Sequence, residues 1–557
     1  VVLSSKQLPV NKDVISQEKR MPAQLTVFFP RIVDKDISAY MFKTMTIMSF
    51  LFLSACMVGP NFKEPETNVA NHWLKTSKSI KETPIQDANW WRFLNDSNLT
   101  SIIEQGYQHN LPLQSAGVRV LQARAELAQV VGELYPQQQA MLGNLTYQHI
   151  GGSSFQGLLP NNLNTLLMGV TAGWELDFWG KYRRAILSND AAFLAAYAAY
   201  NHALVSLTSD LATTYITIRT TEELIHITKQ NITLQTLGLN IATSRFHAGE
   251  TSLLDVQQAQ TELSQTQSIL PRYESKLQHQ KDALAVLLGT TPDHIDGLLI
   301  KKRGIPHAPS SIAVGIPKEI LAQRPDIYQA RMEAIAQSEA IGATKANLYP
   351  SLSLTGTFAF ASNTIGSNAL GEAFNWSNRN ISAGPAFNWP LFNYGQITNA
   401  VRAQDAVFQR SLLTYLNLVL QAQQQVQDSI TQFIETKKSE QHLITANAAA
   451  IKSTQLAIIR YREGESDYTP VLDAERQQLQ VQTSLTQIKG EIPKAVVALY
   501  RALGGGWQIR AGHDVVSQKI KHDMAMRTHW GSLLKQDNHQ PPATKAQQTK
   551  ERYLPNW

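Results

Sequence analysis

The chain of 557 residues contains one cysteine, Cys56, so an intrachain disulfide or a cysteine-rich metal site is ruled out. The neighbours of Cys56 point to another chemistry. Met41 opens the run MFKTMTIMSFLFLSAC, in which Lys43 supplies a positive start and Thr44 to Ala55 form an apolar stretch. A core of about twelve residues suits a signal peptide and is too short to span a bilayer as a helix. Leu53-Ser54-Ala55-Cys56 has the form of a bacterial lipobox. The small residues fit a peptidase groove, and the Cys56 thiolate is the nucleophile that would take up diacylglycerol. Met57 follows, with no aspartate there to retain a lipoprotein at the inner membrane. The expected location is therefore the outer membrane, with a lipid-anchored chain facing the periplasm. Residues 1–40 precede this signal, and Met41 is the expected true start.

No other chemistry-bearing pattern stands out. The sequence has no P-loop, dinucleotide fingerprint, nucleophile elbow or zincin helix. Gly504-Gly505-Gly506 is not followed by a phosphate-binding helix, and the histidines are scattered. We therefore expect no catalytic residue, no metal site and no cofactor beyond the lipid on Cys56. The formal charge is +6, but the basic residues form no dense patch, which argues against a nucleic-acid partner. Only 17% of residues are charged and 43% are apolar. Gln, Ser, Thr and Asn fill the difference, as surfaces along a water-filled lumen would require.

The elements that could position such surfaces occur twice, at an offset of about 215 residues. Leu134-Tyr135-Pro136 corresponds to Leu348-Tyr349-Pro350, and Leu176 to Gly180 corresponds to Leu391 to Gly395. Arg245 to Glu250 corresponds to Arg460 to Glu465, and Leu287-Leu288-Gly289 to Ala502-Leu503-Gly504. Each half reads as helix, β-hairpin, very long helix, turn and return helix.

Period-two alternation defines the hairpins. Leu166, Met168, Val170, Ala172, Trp174, Leu176 and Phe178 share one strand face, as do Leu352, Leu354, Gly356, Phe358 and Phe360. Ile381, Ala383, Pro385, Phe387, Trp389 and Leu391 form the partner of the latter, with Pro385 out of place anywhere but an edge or bulge. The segment from Met141 to Ile150 is the weakest of the four strands. Such faces suit either a lipid-facing barrel or a sandwich core, and the outer-membrane signal favours the barrel. Four strands cannot close a barrel in lipid, so the chain must oligomerise. Strand arithmetic alone does not choose between two and three copies.

From about Arg183 to Phe246 there is no proline. Leu204, Leu211, Ile218, Ile225, Ile232, Leu239 and Phe246 recur every seventh residue, which makes one coiled-coil seam. Its counterpart, from about Thr398 to Tyr461, has the less regular seam Ile430, Ile444, Ile451 and Ile458, interrupted by Lys437. The Gln-rich run from Gln421 to Gln427 suggests a face toward water. Gly249 and Gly464 end the long helices, and return helices follow to Leu288 and Leu503. Pro271 and Pro493 predict kinks or breaks in them.

Several short motifs give the chain a resemblance to the TolC-like outer-membrane efflux factors, and within them to the OprM/NodT-type lipoprotein branch. They are Cys56 to Phe62 with Pro65, Trp90 to Phe93, Trp174 to Lys181, Arg324-Pro325-Asp326-Ile327 with Ala330, and Val471 to Ala474. The resemblance spans roughly residues 53 to 505. It implies a mostly α protein with a β-barrel portion: three chains give four strands each to a transmembrane 12-stranded β-barrel, set on a periplasmic α-barrel of long antiparallel coiled-coil helices. It further implies a passive exit duct of a tripartite, RND-type efflux system, working with a periplasmic adaptor and an inner-membrane pump. Asp473 falls at the family's periplasmic aperture, where three carboxylates around an axis would favour cations; a carboxylate at a helix N-terminus is the plainer alternative. Tyr461 falls at a position that helps hold the closed state. Arg245, Gly249, Arg460 and Gly464 mark the helical-hairpin tips, where the adaptor would contact. Pro470 stands where the family has a second aperture acid.

The expected organisation is an upstream extension at 1–40, a lipoprotein signal peptide at 41–55, a first repeat at 56–305 with its hairpin near 140–178, and a second at 306–505 with its hairpin near 351–392. A mildly basic tail at 506–557 would be disordered or lie along the equator. Two other readings remain: the outlet of a type I protein-secretion system, and a structural periplasmic coiled-coil lipoprotein.

Overall fold

The computed structural model describes residues 57–74, 80–82, 89–149, 151, 161–299, 304–317, 321, 323–364, 370–510 and 512–535. Cys56, its signal and the extension before it lie outside the described residues. A short strand β1 (Ile80–Lys81) precedes the helices α1 (Ser97–His109) and α2 (Leu111–Gly132), and β2 (Gln138–His149) and β3 (Asn162–Leu176) follow. Next come α3 (Lys181–His247), its return helix α4 (Leu253–Leu288) and a one-turn α5 (Ile295–Leu299). The second half runs β4 (Ile312–Ala313), α6 (Pro325–Ala346), β5 (Ser351–Asn363), β6 (Arg379–Asn388), α7 (Gln396–Arg462) and α8 (Thr469–Ala502), and α9 (Gln518–Arg527) closes the described chain.

The internal repeat is written in backbone geometry. Gly180 and Gly395 precede the long helices, Gly249 and Gly464 follow them, and Gly289 and Gly504 follow the return helices. All six have positive φ, and each pair is 215 residues apart. A left-handed residue is needed at each corner, and glycine adopts it without a Cβ clash. α3 and α7 both contain 67 residues, about 100 Å of helix at 1.5 Å per residue. Pro271 and Pro493 lie inside α4 and α8 without ending them, so the expected breaks are absent.

The four long strands form one antiparallel sheet in the order β2-β3-β5-β6. The two hairpins therefore join through β3 and β5, and within one chain β2 and β6 remain as edges. Pro385 sits in β6 opposite Leu354, on a strand that is an edge within one chain, where a residue without an N–H is tolerated. The register aligns Met141, Val170, Phe358 and Ile381 in one row across the sheet, and Trp174, Leu354 and Pro385 in another. Met141, Val170, Trp174, Leu354, Ile381 and Phe387 are all exposed. The alternate rows carry Ala140, Thr171, Thr357 and Ser382, or Gln138, Gly173, Thr355 and Gly384, which are small or polar. One face of this sheet is thus greasy and the other suits water.

The main core lies beneath the sheet, where α1, α3 and α8 meet. Trp90, Trp91, Ile102, Leu204, Leu211, Tyr215, Ile218, Phe433, Val496 and Tyr500 belong to it. Trp90 stacks on Tyr500 at 5.5 Å between ring centroids. The seven-residue seam of α3 is fully buried at Leu204, Leu211 and Ile218, half-buried at Ile225, Ile232 and Leu239, and exposed at Phe246. Towards the tips the bundle is only a few helices thick, so the lower seam has less to pack against.

Several motifs prove to be joints. Trp179 donates to the Pro350 carbonyl (2.7 Å) and stacks on Tyr349, tying the first helix–sheet junction to the second. Arg324 donates to the carbonyl of Ala502 and to Asp326, which fixes the start of α6 to the end of α8. The glutamines expected to face water are partly otherwise engaged. Gln423 and Gln427 bond the main chain of the N-terminal segment at Asn68, Ala70 and Leu74. Extended backbone has spare donors and acceptors, and a ladder of amides satisfies them. In the stretch expected to be disordered or equatorial, Val516 and Met524 pack on Leu121 of α2, and Lys521 pairs with Asp514.

Candidate functional site

The predicted tip and aperture residues converge at the far end of the helical hairpins. Both long helices stop in the same way. Gly249 N–H donates to the Phe246 carbonyl and Glu250 N–H to that of Arg245; Gly464 and Glu465 repeat the pattern onto Tyr461 and Arg460. This is the Schellman arrangement, which satisfies carbonyls left open at a helix end.

The turns that follow differ. The first passes from Gly249 to α4 through Glu250-Thr251-Ser252, and the second runs through Glu465-Ser466-Asp467-Tyr468. The longer turn carries Tyr468, which buries itself completely and packs edge-on against Tyr461 at 5.2 Å. Ala242, Ala259, Val471 and Leu472 complete this small second core.

Tyr461 links the two hairpins. Its hydroxyl donates to Asp255 Oδ2 on α4 (3.2 Å), and Thr251 donates to the same oxygen. The Arg245 guanidinium lies 4.7 Å from the Tyr461 ring centroid and donates to the Tyr461 carbonyl. It also meets Glu250 at 3.3 Å. Burial pushes the Tyr461 phenol up, so it stays a neutral donor at ordinary pH. The arrangement is a clasp that must open if the two hairpins of one chain separate at their tips.

Asp473 is exposed just past the first turn of α8. Arg460 is also exposed and pairs with Glu465 at 3.5 Å. Open space surrounds Gly249, whereas Gly464 lies near the Arg245 guanidinium. Cys56 lies outside the described residues. Among the described residues no cluster of His, Cys, Asp and Glu could hold a metal ion.

Sequence reasoning did not mark Asp255 or Thr251 as site residues, and missed a deeper polar group altogether. Asp255, which the 215-residue offset aligns with Pro470, is buried as the acceptor for Tyr461. One turn or more inward, Glu475 of α8 is fully buried and accepts from the Tyr468 hydroxyl at 3.4 Å. Burial, reinforced by the nearby Glu262 charge, pushes the Glu475 carboxyl up to about 7. Glu262 is itself buried and accepts from Arg476 at 2.7 Å. A glutamate in a Gln-rich helix reads as a solvated charge, and only the three-dimensional packing reveals otherwise.

Two stretches of the chain, 102–290 and 316–505, match the family described as outer membrane efflux protein. Nodulation protein T of Rhizobium leguminosarum bv. trifolii is 26% identical, over 82% of this chain and 96% of the relative. The probable outer membrane lipoprotein SilC of Salmonella typhimurium is 25% identical, over 84% of this chain and 99% of the relative. The solved outer-membrane channel OprN superposes with a TM-score of 0.75 at 28% identity, covering 81% of this chain and 100% of that one. With more than half its length matched, in two stretches that each run through a helix, a β-hairpin and a helical hairpin, the chain belongs to the outer membrane efflux protein family.

Proposed function

We propose that the chain is one protomer of a homotrimeric exit duct, passive and without catalytic chemistry, serving a tripartite efflux system. The observation that carries this reading is the sheet. One of its faces carries apolar rows, the other carries small and polar rows, and both its edges are open within one chain. Unpaired edges are not tolerated in lipid, so sister subunits must supply the missing partners. Three copies would give a 12-stranded barrel, continued by the 67-residue helices as a tunnel across the periplasm. A lipid on Cys56 would add an anchor beside the barrel.

In this assembly the tips form the periplasmic mouth, and a periplasmic adaptor and an inner-membrane pump of the RND type would dock there, at Gly249, Gly464, Arg245 and Arg460. The exposed Asp473 would line the mouth in three copies and favour cations. Conductance in planar bilayers tests this reading. Wild-type protein should give small, cation-preferring currents, and Asp473→Ala should raise them and weaken the preference. Unchanged currents in the variant would remove Asp473 from the aperture.

A further inference from the structure

The polar group inside the tips has no part in the clasp just described. Glu475 lies at the meeting of α3, α4, α7 and α8, fully buried, and its Oε1 has no hydrogen-bond partner among the described residues. Its other oxygen takes the Tyr468 hydroxyl. On α3, Gly238 faces this pair so closely that a Cβ would sit 3.0 Å from the Tyr468 hydroxyl and 3.1 Å from Glu475 Oε1. Gln235, one turn earlier on α3, is buried with neither end of its amide partnered. α4 contributes Glu262, whose charge is met by Arg476 of α8. α7 contributes Tyr461 and Thr454, neither of them charged, and Thr454 donates to the Ala474 carbonyl. Arg245 and Asp255 are engaged with Tyr461 itself. No cation among the described residues pairs with Glu475.

A buried carboxylate with an open oxygen and no cation is costly, whereas the neutral acid fits the same space. We infer that Glu475 is a proton-operated latch: protonated, it lets the two hairpins pack at their tips, and ionised, it drives them toward the parted state. This rests on the reading of the tips as the mouth of a duct.

The sign follows from linkage. The packed tip holds its proton up to about pH 7, while an exposed glutamate releases it near 4.5. Between these values the packed state binds the extra proton, so its advantage is complete below the lower value and declines as pH rises. The parted-to-packed ratio should increase by up to about tenfold per pH unit across this window and level off above it. Acid would therefore shut the mouth. Glu262 raises the upper limit of the window by repulsion.

The test pairs hydrogen exchange with conductance on the full-length assembled protein. Exchange at amides 235–262 and 454–478, corrected for intrinsic pH dependence, should accelerate from pH 5 to pH 7 in wild type. Glu475→Gln keeps the shape without the charge, and should give slow exchange and low currents independent of pH. Glu262→Gln should retain the pH response with its upper limit moved to lower pH. A Glu475→Gln protein that keeps the wild-type pH profile overturns the latch. If no variant conducts at any pH while exchange still responds, the duct reading fails and the latch stands as a packing switch. Currents without any pH response do the reverse.

Discussion

The two halves of this chain share one plan and use it differently. α3 is embedded, with α2, α4, α6 and α8 all packed against it, whereas α7 lies mainly on α8 and α6. Positions related by the 215-residue offset show the consequence. Ala198 and Val205 of α3 are each 2% exposed, but their counterparts Leu413 and Leu420 of α7 are 57% and 53% exposed. The first repeat puts small residues where its own chain closes over them. The second puts large apolar residues where nothing among the described residues covers them. An exposed apolar row of this kind is the mark of a surface meant to be covered, and in the proposed duct the neighbouring copies cover it.

Substituting the paired positions separates these roles. Val205→Asp buries an unpaired charge and should cost about 4 kcal/mol or more, leaving no folded chain to recover. Leu420→Asp should leave helix content intact by circular dichroism yet abolish assembly in gel filtration. If both variants fail at folding, or both assemble normally, the contrast between the repeats is false.

The clasp gives a smaller effect. Arg245→Ala removes the cation above the Tyr461 ring and the donor to its carbonyl, and Tyr461→Phe removes the hydroxyl from Asp255. Each should weaken the tip by about 1.5–3 kcal/mol, read as faster amide exchange near the tips with the sheet and main core unchanged. The double variant should cost less than the sum, because both residues serve one contact.

The smallest effect belongs to the tip glycines. Gly249→Ala and Gly464→Ala each force a Cβ into left-handed backbone, at about 1–2 kcal/mol. Gly464 has the Arg245 guanidinium beside it and Gly249 has open space. Gly464→Ala should therefore also disturb the clasp in exchange experiments, while Gly249→Ala should not.

Much of this architecture is legible in the residues. The proline-free run from about Arg183 to Phe246 gave α3 to within two residues at its start and one at its end, and the heptad seam from Leu204 marked it as one continuous helix. Alternation gave all four strands, including the weak β2, and the glycines at the corners announced themselves by repeating. What stayed hidden depends on contacts between distant segments. Nothing local marks Asp255 as the partner of Tyr461 or Glu475 as buried, since a carboxylate in a polar helix has the same neighbours in sequence whether it meets water or Tyr468. Gln421, Gln424 and Gln425 of α7 are exposed as expected, but Gln423 and Gln427 could not be read as tethers, since their partner is main chain more than 350 residues away. The prolines within α4 and α8 show the packed bundle overriding a local breaker.

Native mass spectrometry of the detergent-released, full-length particle is the most direct measurement on the central claim. In the proposed duct, sister copies close the open edges of β2 and β6 and cover the bare row on α7, and three copies of the chain are predicted. A stable particle of one or two chains that conducts in bilayers would contradict the account.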